Sequence, residues 1–298
     1  MAGTLIENVS DTAFWIAHYR ALETERADAL FRDPLASVLA GDRGKEIART
    51  MPGSFMTAWT VVIRTCIIDD YIQLAVAQGV DTVLNLGAGL DTRPYRMELP
   101  GSFLWIEADY PKMIEYKEKR LANEKPRCRL ERVKLDLAKP LERREMLAAA
   151  NARAKRILIL TEGVVPYLSV EEAGSLADDL NGLDRASYWV VEYFAPQVIK
   201  FRKRMMQRKM QNAPFKFEPQ DWFGFFGEHG WHCKEIRYMA EEAERLQRPI
   251  RLSLPVRMIF GIRRLFSSSE KRAAYKKFMG YVLLEHGNVP ARQLSEAK

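Results

Sequence analysis

Two glycines and four acids, set at the ends of apolar runs, are the residues whose types and spacing suggest chemistry. The run Thr82-Val83-Leu84-Asn85-Leu86 reads as a buried strand, and it breaks into Gly87-Ala88-Gly89-Leu90-Asp91-Thr92-Arg93. Glycine has no Cβ and tolerates positive φ, so Gly87 and Gly89 leave room for a ligand against the backbone. Asp109 follows Gly89 by twenty residues, the offset at which an acid accepts hydrogen bonds from a ribose diol. Asp136 and Glu162 follow two further strand-like runs. If these strands are parallel, Asp91, Asp109, Asp136 and Glu162 share one rim of a sheet, where open α/β folds grip their ligands.

The elements needed to position them are legible as alternating periods. Strands are expected at 103–109, 130–135, 156–160 and 187–194, with helices at 111–123 and 140–151 and a capping-box helix from Ser169. Such βα alternation predicts a mostly parallel sheet with helices on both faces. A helix over 54–78, ended by Gly79, delivers the chain to the first strand. Before it, residues 1–53 form a helical cap, with helices opening at Asp11 and at Asp33-Pro34. After Pro196 the pattern changes to a basic helix at 197–212, an aromatic stretch at 220–229 and a strand at 232–239. A helical, basic stretch at 240–278 and an apolar strand at 279–285 close the chain, the latter compatible with an antiparallel edge. The whole is expected to be one domain of 298 residues, with a cofactor core at 54–194 and a C-terminal part, 195–298, holding a lid or substrate insertion.

Two ligand types suit a glycine turn followed by a ribose-binding acid: a dinucleotide and S-adenosylmethionine. The dinucleotide fingerprint places a third glycine where this chain has Thr92, and it has no use for an acid in the turn. Asp91 would repel a pyrophosphate but suits an ammonium group, which favours S-adenosylmethionine.

The motifs Arg64-Thr65-Cys66-Ile67-Ile68-Asp69, Gly87 to Arg93, Glu107-Ala108-Asp109-Tyr110-Pro111, Asp136-Leu137 and Thr161-Glu162-Gly163-Val164-Val165-Pro166-Tyr167 occur in this order. In this the chain resembles the leucine carboxyl methyltransferase family of class I methyltransferases, including its bacterial branch of polyketide-type O-methyltransferases. The resemblance covers residues 11–194, and Gly280-Tyr281-Val282-Leu283-Leu284 is similar to the family's closing strand. It implies a Rossmann-like sheet and S-adenosyl-L-methionine as cofactor, with S-adenosyl-L-homocysteine as product. By the same resemblance Arg64 pairs with the cofactor carboxylate, and Arg20 is a second carboxylate ligand. Gly87, Ala88 and Gly89 admit the cofactor, Asp109 holds its ribose, and Asp136 with Leu137 brackets the adenine. Glu162 faces the amino-acid end, and Tyr167 borders the acceptor pocket. The implied reaction is methyl transfer to a carboxyl or hydroxyl oxygen of a small, polyketide-like acceptor. Methylation of a protein C-terminus, NAD-dependent oxidoreduction and non-catalytic cofactor binding or scaffolding are the competing readings.

A carboxylate acceptor needs no base, whereas a hydroxyl does. His18, His229, His232, Glu192 and Tyr193 are candidates, and the sequence does not choose among them. The formal charge of +7 with a pI near 9.2 speaks of solubility rather than fold. No nucleic-acid motif accompanies the basic runs. Cys66, Cys128 and Cys233 lack metal-ligand or disulfide spacing, and with no apparent secretory signal or membrane span a cytoplasmic protein without a metal is expected. Residues 249–266 place Met258, Ile259, Ile262, Leu265 and Phe266 on one helical face, with Arg257 and Arg264 opposite. That helix is expected to pack on the sheet, to lid an apolar pocket or to rest on an anionic membrane surface.

Overall fold

A computed structural model describes residues 6, 9–51, 53–199, 204, 212–250 and 276–287. Its centre is a sheet of seven strands in the order β3-β2-β1-β4-β5-β7-β6. The strands are β1 (Thr82–Leu86), β2 (Leu104–Asp109), β3 (Arg129–Lys134), β4 (Ile157–Leu160), β5 (Ala186–Phe194), β6 (Trp231–Tyr238) and β7 (Met279–His286). The first five are mutually parallel, while β7 runs antiparallel between β5 and β6. The expected mixed sheet is therefore present, with its antiparallel strand slotted inside an outer one.

Why β1, β2 and β4 are central follows from their composition. Every residue of each is buried, as near-continuous apolar strands covered on both faces must be. Successive side chains point to opposite faces. Leu84, Leu86 and Ile106 pack toward the helices α6 (Pro140–Arg153), α7 (Val170–Asn181) and α8 (Trp222–Glu228). Val83, Trp105 and Leu158 pack on the other side against α3 (Ser54–Ala77) and α9 (Met239–Arg245). The helix α7 begins with the capping box read from sequence: Ser169 Oγ accepts from Glu172 N, and the Glu172 carboxylate accepts from Ser169 N.

The remaining elements are the cap helices α1 (Asp11–Thr24) and α2 (Pro34–Thr50), the short α4 (Arg93–Arg96) after the glycine turn, and α5 (Pro111–Arg120). One local expectation changes. Asp11 is the first residue of α1 rather than its cap, which falls on Ser10, and its carboxylate instead takes Arg43 at 2.6 Å. Gly41, at φ 52°, kinks α2 into two pieces. Residues 246–250 do not continue α9 as the helical reading of 240–278 required, and 251–275 lie outside the described residues. All but the first two residues of the apolar helix of 249–266, and most of the basic helix of 197–212, fall outside them too. Among the described residues no helix is long and apolar enough to cross a membrane.

Arg20 joins the cap to the sheet. From the middle of α1 its Nε donates to Asp33 Oδ2 at 2.8 Å and its Nη2 to the Leu90 carbonyl at 2.5 Å, just beyond the glycines. Asp33 also caps α2 through Ala36 N. Replacing it, as in Asp33→Ala, removes a cap and leaves Arg20 buried without its carboxylate. The expected loss is about 3–5 kcal/mol in denaturant unfolding, the range for breaking a buried pair from one side.

Candidate cofactor and acceptor site

The carboxyl ends of β1, β2 and β4 open on a cavity of about 710 Å³, roofed by α1 and walled by α3 and by the starts of α5 and β7. Gly87 has φ 68°, and a Cβ there would fall 2.4 Å from Val164 Cγ2. Gly89 has φ 48° and donates its N–H to Asp109 Oδ2 at 2.6 Å. A side chain at Gly87 would therefore fill the seam between the first and fourth strand ends. Both conformations are ones that glycine adopts without strain.

Asp109 caps no helix. Its Oδ1 accepts from Tyr110 N at 2.7 Å while Oδ2 holds the glycine loop, so one carboxylate ties two strand ends at the cavity wall. Burial raises its pKa against the pull of those two amides and of Lys117. Each oxygen keeps a further lone pair, so the carboxylate can still accept from another donor. Asp136 behaves otherwise: its Oδ1 accepts from Ala138 N at 2.9 Å, while its neighbours Leu135, Leu137 and Ala138 line the cavity.

Glu162 is placed by the end of β4, where it meets two guanidiniums. Its Oε1 lies 2.8 Å from Arg64 Nε and its Oε2 2.8 Å from Arg93 Nη1. Burial opposes its charge, yet Arg64 and Arg93 lower its pKa. Asp91, which the sequence matched to an ammonium group, turns its contacts inward. Its Oδ2 accepts from Asn85 Nδ2 and Arg93 Nη1, both at 2.9 Å, and its Oδ1 accepts from Arg93 N. Burial works against this carboxylate too, and Arg93, then Lys117 and Arg20, hold it far below the ordinary range.

What the residue-by-residue reading missed is Arg93 itself. It is 2% exposed and bonds three carboxylates: Asp69 at 2.7 Å, Asp91 at 2.9 Å and Glu162 at 2.8 Å. Arg96 forks onto the same Asp69 at 2.7 and 2.8 Å. The one sequence signal was an arginine two residues after the turn acid. Its partners come from α3, β4 and the turn, and only the fold brings them together.

Apolar side chains line the cavity as well, among them Met56, Val61, Phe194, Phe215 and Met239, with Lys216 and Lys276 also at its border. Tyr167 sits there on a short 3₁₀ turn (Val165–Tyr167), stacked on Phe215 with ring centroids 5.2 Å apart. Of the five residues considered as bases, Glu192 is the one that lines this cavity. His229 is engaged with Asp178 at 2.6 Å in a separate surface cleft beside α7, and Tyr193 stacks on Phe223. Burial pushes the Cys66 thiol up to about 12, and Cys128 and Cys233 up to about 11, values that suit inert thiols.

Comparison with known proteins decides the family. The family model described as leucine carboxyl methyltransferase matches residues 13–181. The chain belongs to this family. A Streptomyces avermitilis relative, named by inference as an S-adenosyl-L-methionine-dependent methyltransferase, is 32% identical over 80% of this chain and 88% of its own length. A Streptomyces coelicolor relative named in the same way is 32% identical over 77% and 86%. A crystal structure of a duf574 family protein from Streptomyces avermitilis aligns with TM-score 0.55 and 16% identity, covering 91% of this chain and 97% of the other. An inferred methyltransferase from Thermobifida fusca aligns with TM-score 0.52 and 16% identity over 92% and 95%. Both structures share the fold.

Removing Arg93 would leave the Asp69, Asp91 and Glu162 carboxylates short of their common partner. Arg93→Met is expected to cost about 3–5 kcal/mol in urea unfolding at pH 7. The deficit should shrink as pH falls. Asp91 and Glu162 have lowered pKa values, so the stability they contribute is full above the ordinary carboxylate range and is lost on protonation below it.

Proposed function

We propose that this chain, an S-adenosyl-L-methionine-dependent methyltransferase, moves a methyl group onto a carboxyl or hydroxyl oxygen of a small, largely apolar organic acceptor. The observation that carries the reading is one cavity whose lining holds both paired charges and apolar walls. Arg64 and Glu162, paired at 2.8 Å, line it beside Asp91, and Arg93 behind them bonds both carboxylates. Partnered charges of this kind suit a zwitterionic amino-acid end, whose carboxylate would meet Arg64 and whose ammonium would meet Glu162. They do not suit a pyrophosphate, which would bring negative charge to Glu162 and Asp91. Asp109 would take the ribose hydroxyls, and Met113, Leu135 and Leu137 would flank the base.

When bound, the cofactor supplies an electrophilic methyl on a sulfonium. The protein's contribution is alignment and exclusion of water, since in-line displacement gains most from holding the reacting atoms in an attack geometry. The apolar walls, with Tyr167 on Phe215, would seat the acceptor and keep water from competing. An acceptor of drug-like size fits a cavity of this volume alongside the cofactor only if the acceptor is compact.

Isothermal calorimetry tests the cofactor half of this reading. S-adenosyl-L-homocysteine should bind the purified protein at micromolar concentration, and NADH should not. Asp109→Ala should weaken S-adenosyl-L-homocysteine by about 10-fold or more, as expected for losing hydrogen bonds to a charged acceptor. Labelled-methyl transfer into a panel of acids and phenols tests the acceptor half: a base-labile product marks an ester and a base-stable one an ether. A protein carrying the label would instead favour C-terminal carboxyl methylation.

A further inference from the structure

Beside the main cavity lies a small annex lined by Pro166, Ile199, Phe215, Phe217 and Trp222. Glu192 and Phe194, at the end of β5, line both the annex and the main cavity, so Glu192 is the ionisable group in the wall the two spaces share. It is 3% exposed. Its Oε1 accepts from Gly163 N at 3.0 Å, and its Oε2 is buried without a partner. A buried polar atom left unpaired is costly, and natural structures keep few of them.

We propose that Glu192 is the proton acceptor of the transfer and that the acceptor is an aromatic hydroxyl rather than a carboxylate. This rests on the O-methyltransferase reading above and narrows it. An incoming O–H supplies the donor that Oε2 lacks, whereas a carboxylate has no proton to offer and would set a second acid against Glu192. In the main cavity the neighbouring walls of Pro166, Phe194 and Phe215 are flat and apolar, the surface on which an aryl ring stacks or meets edge to face. In the step, an oxygen lone pair forms the new O–CH₃ bond while the C–S bond breaks and its electron pair returns to sulfur. The hydroxyl proton passes to Glu192 Oε2, so sulfonium and carboxylate become thioether and carboxylic acid.

The electrostatic surroundings are consistent with a base that works near neutral pH. Burial pushes the Glu192 carboxyl up to about 8, opposed chiefly by its backbone hydrogen bond and by Arg64. The charged and titratable groups facing it are Arg64 from α3, Glu162 at the end of β4 and Tyr281, its cross-strand partner on β7. Arg64 favours the ionised form and Glu162 the protonated one. A catalytic base gains most when its pKa lies near the working pH.

The test uses the full chain with labelled S-adenosyl-L-methionine and two probes of matched shape, 2-naphthol and 2-naphthoic acid. Label is expected in 2-naphthol at a rate at least tenfold above 2-naphthoic acid. In the wild type, kcat should rise with pH through a group near 8. Glu192→Gln should lower kcat for 2-naphthol about 100-fold or more, within the usual contribution of a general base. It should change KM little and leave S-adenosyl-L-homocysteine affinity in calorimetry as it was. A second readout needs no turnover. Because the raised pKa makes ionisation cost stability as pH climbs, the Tm of Glu192→Gln minus that of the wild type should grow from pH 5 to pH 9.

A Glu192→Gln enzyme within threefold of wild type, a preference for 2-naphthoic acid, or a Tm difference flat across that range would overturn the proposal. So would failure of both probes to bind the S-adenosyl-L-homocysteine complex at millimolar concentration. Loss of S-adenosyl-L-homocysteine binding by the wild type would sink the broader function instead, so the two failures are separable.

Discussion

Arg93 is the interaction on which the rest of the site depends. A guanidinium withdrawn from water is tolerable only when its donors are satisfied and its charge is met. Here that is done by carboxylates from three parts of the chain: Asp69 on α3, Asp91 in the glycine turn and Glu162 at the end of β4. The arginine thereby fixes the angle at which the turn leaves β1 and the position of Glu162 in the cavity wall. Arg20 repeats the device at a smaller scale, holding the cap on Leu90 and Asp33. The charges of Arg93, Asp91, Arg64 and Glu162 are thus partnered within the protein.

That pairing has a chemical consequence. A wall made of paired charges does not draw a ligand by net field; it selects one whose own charges pair locally. The cavity combines such a wall at the strand ends with apolar side chains from α3, β5 and α9, so a single pocket offers polar and apolar surroundings together. Methyl transfer requires this contrast, since a sulfonium must be bound by polar groups while its methyl is delivered in a dry environment. The positions that remain chemically open, Asp109 with its spare lone pairs and Glu192 with its unpaired oxygen, stand on strand ends rather than on mobile loops.

The sheet was legible because its signals are local. The apolar runs of β1, β2 and β4, the glycine break after Leu86 and the capping box at Ser169 each occupy a few consecutive residues. The place of Asp109 at the cavity wall was legible as well, because its spacing from Gly89 reflects one βαβ unit. Asp91 lines the same cavity, but its contacts to Asn85 and Arg93 were not legible, because only the fold puts those residues against it. The choice among five possible bases was not readable either, because it depends on which residues border one cavity. Glu192 and Tyr193 are adjacent in sequence, and the alternation of a strand sends one to the cavity and the other to a stack on Phe223.

The most direct measurement is a crystal structure of the protein with S-adenosyl-L-homocysteine bound. The account predicts that Arg93 keeps its contacts to Asp69, Asp91 and Glu162, with the ligand's amino-acid end against the Arg64–Glu162 pair and its ribose hydroxyls on Asp109. A ligand bound away from Asp109, or an Arg93 released from Glu162 to grip the ligand itself, would contradict it.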